Sequence, residues 1–177
     1  MRNFLSSVSS NPLPRVALLF CIGLGAAEAW AQQPAVPSPL TLAVQTKEKR
    51  EAISPDSFKA LPHKMVAVHN EHTNADEKYS GVLLSDLLLR VDAPLGKLLH
   101  GKVLTFYVVG EGSDGYKAVY SLAEIDPSFH SGDVIVADAM NGQPLGKEGP
   151  YKLVNTEDKH PARWVRNLVS LSVLAAQ

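Results

Sequence analysis

A single cysteine, Cys21, is all the thiol chemistry this chain carries, and it falls in a region that reads as a removable leader. With the leader cleaved, the remaining chain can close no internal disulfide and offers no thiolate to a metal or a substrate. An excess of one charge is missing as well. Lys and Arg number 17 against 18 Asp and Glu, with both signs spread along the chain, which is not the pattern of a nucleic-acid binder or a membrane-surface protein. Long apolar runs are also scarce. The longest, Val16 to Ala27, is shorter than the roughly 20 residues a membrane-spanning helix needs, so no stable membrane insertion is expected. No serine stands in a Gly-x-Ser-x-Gly elbow, which leaves Ser-His-Asp catalysis without support.

What is present begins with an export signal. Arg2 and Arg15 precede the apolar run, and small residues surround Ala29-Trp30-Ala31, the layout of a secretory signal peptide over residues 1–31. The expected location is therefore periplasmic or secreted, with cleavage near Ala31. Bulky Phe20 before Cys21, and an apolar stretch that continues past it, argue against a lipoprotein anchor. Residues 32–39, rich in Gln and Pro, read as a flexible linker. Residues 40–177 then form one domain, large enough for a core that needs no disulfide.

Within that domain Leu40, Leu42 and Val44 alternate as in a half-buried strand, and Ser54-Pro55 supplies an N-cap and first-turn proline for a short helix through Leu61. Lys64 to His69 reads as a strand, and the polar stretch Glu71 to Lys78 as a loop. Leucines 83, 84, 87 and 88 with Val91 fall at helical spacing from Val82 onward, and Leu95 to Leu99 suggests a further helical turn. Val103 to Val109 predicts a strong strand, with Lys117 to Tyr120 returning antiparallel across Glu111 to Gly115. Ser121 and Glu124 form a capping box. Val134 to Ala137, Tyr151 to Val154 and the alternating Val169, Leu171 and Val173 read as strands, with a tight turn at Asn141-Gly142. Several short strands with a few short helices, and no regular strand-helix alternation, predict a β-rich α+β domain.

Three stretches, taken in order, resemble the molybdopterin-binding domain of the sulfite-oxidase-like oxidoreductases. They are Tyr79-Ser80-Gly81-Val82-Leu83-Leu84-Ser85-Asp86-Leu87-Leu88; Asp114-Gly115-Tyr116 with Val119 to Leu122; and a last set running from Asn141-Gly142 through Gly149-Pro150-Tyr151-Lys152 to Arg163-Trp164-Val165-Arg166. The resemblance spans most of the chain from about Leu40. It implies a mixed, barrel-like sheet with short helices and, in the complete enzymes, a molybdenum held by a pterin dithiolene and one protein cysteine. That cysteine would sit at the end of a strand, roughly where Val68, His69 and Asn70 stand, and this chain has none there. A neutral histidine is a harder ligand than a thiolate, so catalysis does not transfer across the change. No Arg-Arg pair marks the leader for the folded export route by which loaded proteins of this family travel.

The same resemblance implies cofactor-facing positions at Lys152, Arg163 and Arg166, with His69 and Asn70 at the strand end; guanidinium groups bind phosphate bidentately. The alternative is a solvated basic face beside a packed Trp164. His69 and His72, three apart, could supply two imidazoles to zinc or copper, or be solvated loop histidines. Asp114-Gly115-Tyr116 lines the same cleft or, more simply, makes a hairpin turn. Asp86 and Asp92 read as helix-surface and capping residues. The expectation that follows is an exported binding or accessory domain on the molybdopterin-oxidoreductase scaffold, without redox catalysis of its own, whose partner is a small anionic ligand or an exported protein. The alternatives are a molybdopterin-dependent oxidoreductase with a substituted metal ligand and a histidine-based metal carrier.

Overall fold

The computed structural model describes residues 41–71 and 73–176. The expected signal peptide, the linker, Leu40 and His72 lie outside them. Ten strands and three short α-helices follow one another among the described residues. They are β1 (Leu42–Gln45), β2 (Arg50–Ile53), α1 (Pro55–Lys59), β3 (Lys64–Asn70), β4 (Ala75–Leu83), α2 (Leu84–Leu89), β5 (Phe106–Gly112), β6 (Lys117–Ser121), α3 (Leu122–Ile125), β7 (Val134–Met140), β8 (Gln143–Pro144), β9 (Lys152–Asn155) and β10 (Leu168–Ala175). The domain is therefore α+β and strand-rich, as its composition of short alternating segments predicts.

The strands form two sheets. The first has the order β2-β1-β10-β5-β6; the second runs β3-β4-β7, with β8 and β9 sharing the far side of β7. Every pairing is antiparallel except that of β1 with β10. The sheets do not close into a barrel, which corrects the barrel-like expectation: β2 and β6 end one sheet and β3 ends the other, with no ladder joining the two.

Local chemistry accounts for the turns. Ser54 caps α1 by accepting from the Ser57 N–H at 3.2 Å, and Ser121 and Glu124 form the reciprocal capping box of α3. Asn141 and Gly142 both take positive φ, 52° and 76°, as the tight β7–β8 turn requires. Gly81 has a packing reason. A Cβ there would lie 2.1 Å from the Val136 carbonyl oxygen, where β4 passes a bulge against β7.

Three boundaries differ from the sequence reading. The loop after β3 ends at Asn74, because Ala75 to Lys78 pairs with β3 from Asn70↔Ala75 onward; Asp76 and Lys78 belong to the solvated face of a strand. Val82 and Leu83 close that strand, so α2 begins at Leu84. Gly101 to Thr105 forms a 3-10 turn, and β5 starts only at Phe106. In β10 a register shift between Leu168 and Ser170 leaves Val169 half-buried while Leu168 and Leu171 are fully buried.

The consecutive run Val134-Ile135-Val136-Ala137 is buried throughout, because β7 is covered on both faces. Val134 and Val136 join the main core with Leu42, Val44, Val108, Leu171, Phe58 and Leu84, Leu87 and Leu88 of α2. Ile135 and Ala137 face a second, smaller core with Val66, Val68, Tyr79, Val154 and Trp164. Among the described residues no helix is long and apolar enough to cross a membrane.

Candidate functional site

The second core turns polar at one end. Along β3 the alternation buries Val66, Val68 and Asn70 and exposes Met65, Ala67 and His69; along β4 it buries Glu77 and Tyr79. The antiparallel register sets Val66 opposite Tyr79 and Val68 opposite Glu77, so Asn70 lies diagonally across from Glu77 on the covered face. Asn70 Nδ2 donates to Glu77 Oε1 at 3.0 Å, and Thr73 Oγ1 donates to the same oxygen at 3.2 Å. The other oxygen, Oε2, accepts from the Tyr79 hydroxyl at 2.7 Å.

Tyr79 in turn accepts from Lys152 Nζ at 2.8 Å, and the ammonium also pairs with Glu148 Oε2 at 2.7 Å. Lys152 stands 4.9 Å from the Tyr79 ring centroid and 5.1 Å from that of Trp164, and the two rings meet edge to face at 5.8 Å. Burial first, then the hydrogen bond and charge of Glu77 and the charge of Glu148, push the Tyr79 hydroxyl well above the ordinary tyrosine range. It stays protonated and remains the donor to Glu77. The chain of contacts Glu148–Lys152–Tyr79–Glu77–Asn70 thus contains two carboxylates and one ammonium, and among the described residues Glu77 has neutral donors only.

This network floors a cleft of about 890 Å³. Trp164 and Met140 add apolar wall, the β5–β6 hairpin contributes Asp114 and Tyr116, and Arg166 stands exposed on the rim. The lining also includes Glu71, whose Oε2 lies 2.9 Å from His160 Nδ1. Trp164 is only 5% exposed, and its indole N–H has no hydrogen-bond partner among the described residues.

Of the cofactor and metal positions expected from sequence, the cleft brings together Asn70, Lys152 and Arg166. His69 points to the other face of β3, where Nδ1 meets Asp76 Oδ1 at 2.8 Å. Arg163 is turned onto Tyr120, its guanidinium carbon 4.7 Å from the ring centroid, and pairs with Glu124 at 3.1 Å and with Asp158. The hydrogen bond to Asp158, and then that to Glu124, raise its pKa further against the opposing effect of burial. His72 lies outside the described residues, and among those described no group of three or more His, Cys, Asp or Glu side chains is arranged to hold a metal.

Asp114 does both things considered for it: its Oδ1 accepts from the Tyr116 N–H at 3.0 Å in the turn, and it lines the cleft. Tyr116 also lines it, its hydroxyl donating to the Ala162 carbonyl. Glu77, Tyr79, Thr73 and Glu148 escaped the sequence reading as site residues. The signal for Glu77 and Tyr79 was their two-residue spacing ahead of an apolar strand, hidden by reading Glu71 to Lys78 as loop.

A comparison with protein-family models finds no match to this chain, and a comparison with curated proteins finds none either.

Proposed function

We propose that this is an exported small-molecule-binding domain, built on a molybdopterin-oxidoreductase-like scaffold, which binds an anion-bearing ligand in the cleft and performs no redox chemistry of its own. One observation carries the reading. The cleft has two permanent cations; Lys152 is committed to Glu148 and Tyr79, whereas Arg166 has no hydrogen bond or ion pair among the described residues and stands exposed at the rim. A guanidinium held at the mouth of a partly apolar cleft is suited to a carboxylate or phosphate group.

The donor set argues against a resident molybdenum. At the strand end where the resemblance calls for a thiolate, Asn70 presents an amide already bonded to Glu77, and the neighbouring donors are carboxylate, phenol and ammonium. These groups do not replace the soft ligand of a pterin-dithiolene metal. Export to the periplasm or beyond, inferred from the leader, fits a domain that needs no cytoplasmic cofactor loading.

The test combines composition with binding. Protein isolated from its native compartment is assayed for molybdenum, zinc, copper and oxidised pterin, and its melting temperature is followed with added acetate, sulfate and phosphate. Substoichiometric metals and pterin, with oxyanion stabilisation that Arg166→Ala abolishes, are the expected results. Stoichiometric molybdenum with pterin would replace this reading by that of an oxidoreductase with an altered metal ligand.

A further inference from the structure

We infer that the ligand of this cleft is dipolar: a small amino acid-like molecule whose carboxylate is read by the Trp164 indole N–H and Arg166, and whose ammonium is read by Asp114 and Glu148. The inference rests on the cleft being the binding site, and it adds what the ligand must carry.

Two features call for an anionic acceptor. Trp164 Nε1 is a buried donor without a partner, in a residue 5% exposed that lines the cleft. An indole N–H removed from water usually finds an acceptor, and leaving it unmade costs free energy. Arg166, two residues on, brings an unpaired guanidinium to the same cleft. A carboxylate has two oxygens and can satisfy both groups.

The rest of the lining calls for a cation. Glu71, Glu77, Asp114 and Glu148 set four carboxylates against Lys152 and Arg166. A protonated His160 would still leave an excess of negative charge. Glu71 is matched by His160, and Glu77 is enclosed by neutral donors. Asp114 and Glu148 each use one carboxylate oxygen, Asp114 on the Tyr116 N–H and Glu148 on Lys152, and each keeps the other oxygen without a partner among the described residues. A pure anion is held by Arg166 against a lining of net negative charge and binds more weakly than a molecule whose ammonium, beside its carboxylate, gives attraction at both ends. Trp164, Met140 and Tyr116 offer apolar surface for a side chain between the two.

The experiment uses three probes that share one ring and differ in charge: L-phenylalanine, phenylacetate and phenethylamine. Each is titrated into the full chain by calorimetry, and the indole N–H resonance of Trp164, assigned by its loss in Trp164→Phe, is followed by NMR. The expected result is phenylalanine binding at least about tenfold more tightly than either singly charged probe, with the Trp164 indole proton moving downfield. Arg166→Ala should weaken phenylalanine about tenfold or more. Asp114→Asn keeps the turn acceptor and removes the charge, and it should narrow the preference for phenylalanine over phenylacetate. Phenylacetate binding as tightly as phenylalanine would overturn the dipolar ligand while leaving an Arg166-dependent anion site intact. An unmoved indole resonance on phenylalanine binding, or no binding of any probe up to about 10 mM, would also overturn it; the oxyanion stabilisation measured separately decides whether the cleft remains the site.

Discussion

The two faces of the second sheet are built from the same strands and have opposite characters. One face sends Val82, Val134, Val136 and Leu153 into a core of aliphatic and aromatic side chains with no charged member. The other begins in the same way, with Val66, Val68, Ile135 and Val154, and then ends in Asn70, Glu77, Tyr79 and Lys152. An apolar core needs only volume and pattern, and alternatives of similar shape serve nearly as well. A polar end must satisfy each group with a specific partner, and it is costly when one is removed. The first face therefore specifies the fold, and the second places defined chemistry beside an opening.

The sharpest way to break this contrast is Lys152→Ala. It strips the only ammonium from a buried network with two carboxylates, so stability should fall by about 3–5 kcal/mol in urea unfolding. A loss under about 1 kcal/mol would mean that Lys152 does not hold Glu148 and Tyr79. Leu87→Ala, in the main core and fully buried, should cost about 2–5 kcal/mol by leaving a cavity, with ligand affinity at Arg166 unchanged.

Tyr79→Phe should cost about 1–3 kcal/mol, because Glu77 and Lys152 each lose a partner. The folded-state pKa of Tyr79 is raised, so its contribution is full below the ordinary tyrosine value of about 10 and is lost as pH rises above it. The phenylalanine variant should show a shallower alkaline loss of stability. The smallest effect belongs to the first sheet's margin. Burial works against ionisation of Glu124, but the Ser121 backbone N–H, the Arg163 guanidinium and the Ser121 hydroxyl outweigh it and hold the carboxyl below its ordinary value. Its contribution is present above about pH 4 and disappears as pH falls through the lower folded value, so Glu124→Gln should flatten that part of the acid curve.

The fold class was legible because strand alternation and cap chemistry are local. Ser54-Pro55, Ser121 with Glu124 and Asn141-Gly142 each specify a turn or cap without help from the rest of the chain. The cleft was legible only in part. Asn70, Lys152 and Arg166 were marked by resemblance, but their fates depend on parity and partners that no local rule supplies. A one-residue step along β3 puts Asn70 in the cleft and His69 outside it. Arg163 and Arg166, three apart in sequence, separate because Asp158, Glu124 and the Tyr120 ring capture the first. Glu77 was hidden by its charged neighbours Asp76 and Lys78, which a strand with one solvated face places outward.

The most direct test is to map amide shifts across the domain while titrating acetate and inorganic phosphate. Perturbations should gather at Asn70, Tyr116, Trp164 and Arg166 and vanish in Arg166→Ala. Shifts scattered over surface lysines, or centred on the Arg163 cluster, would contradict the assignment of this cleft as the binding site.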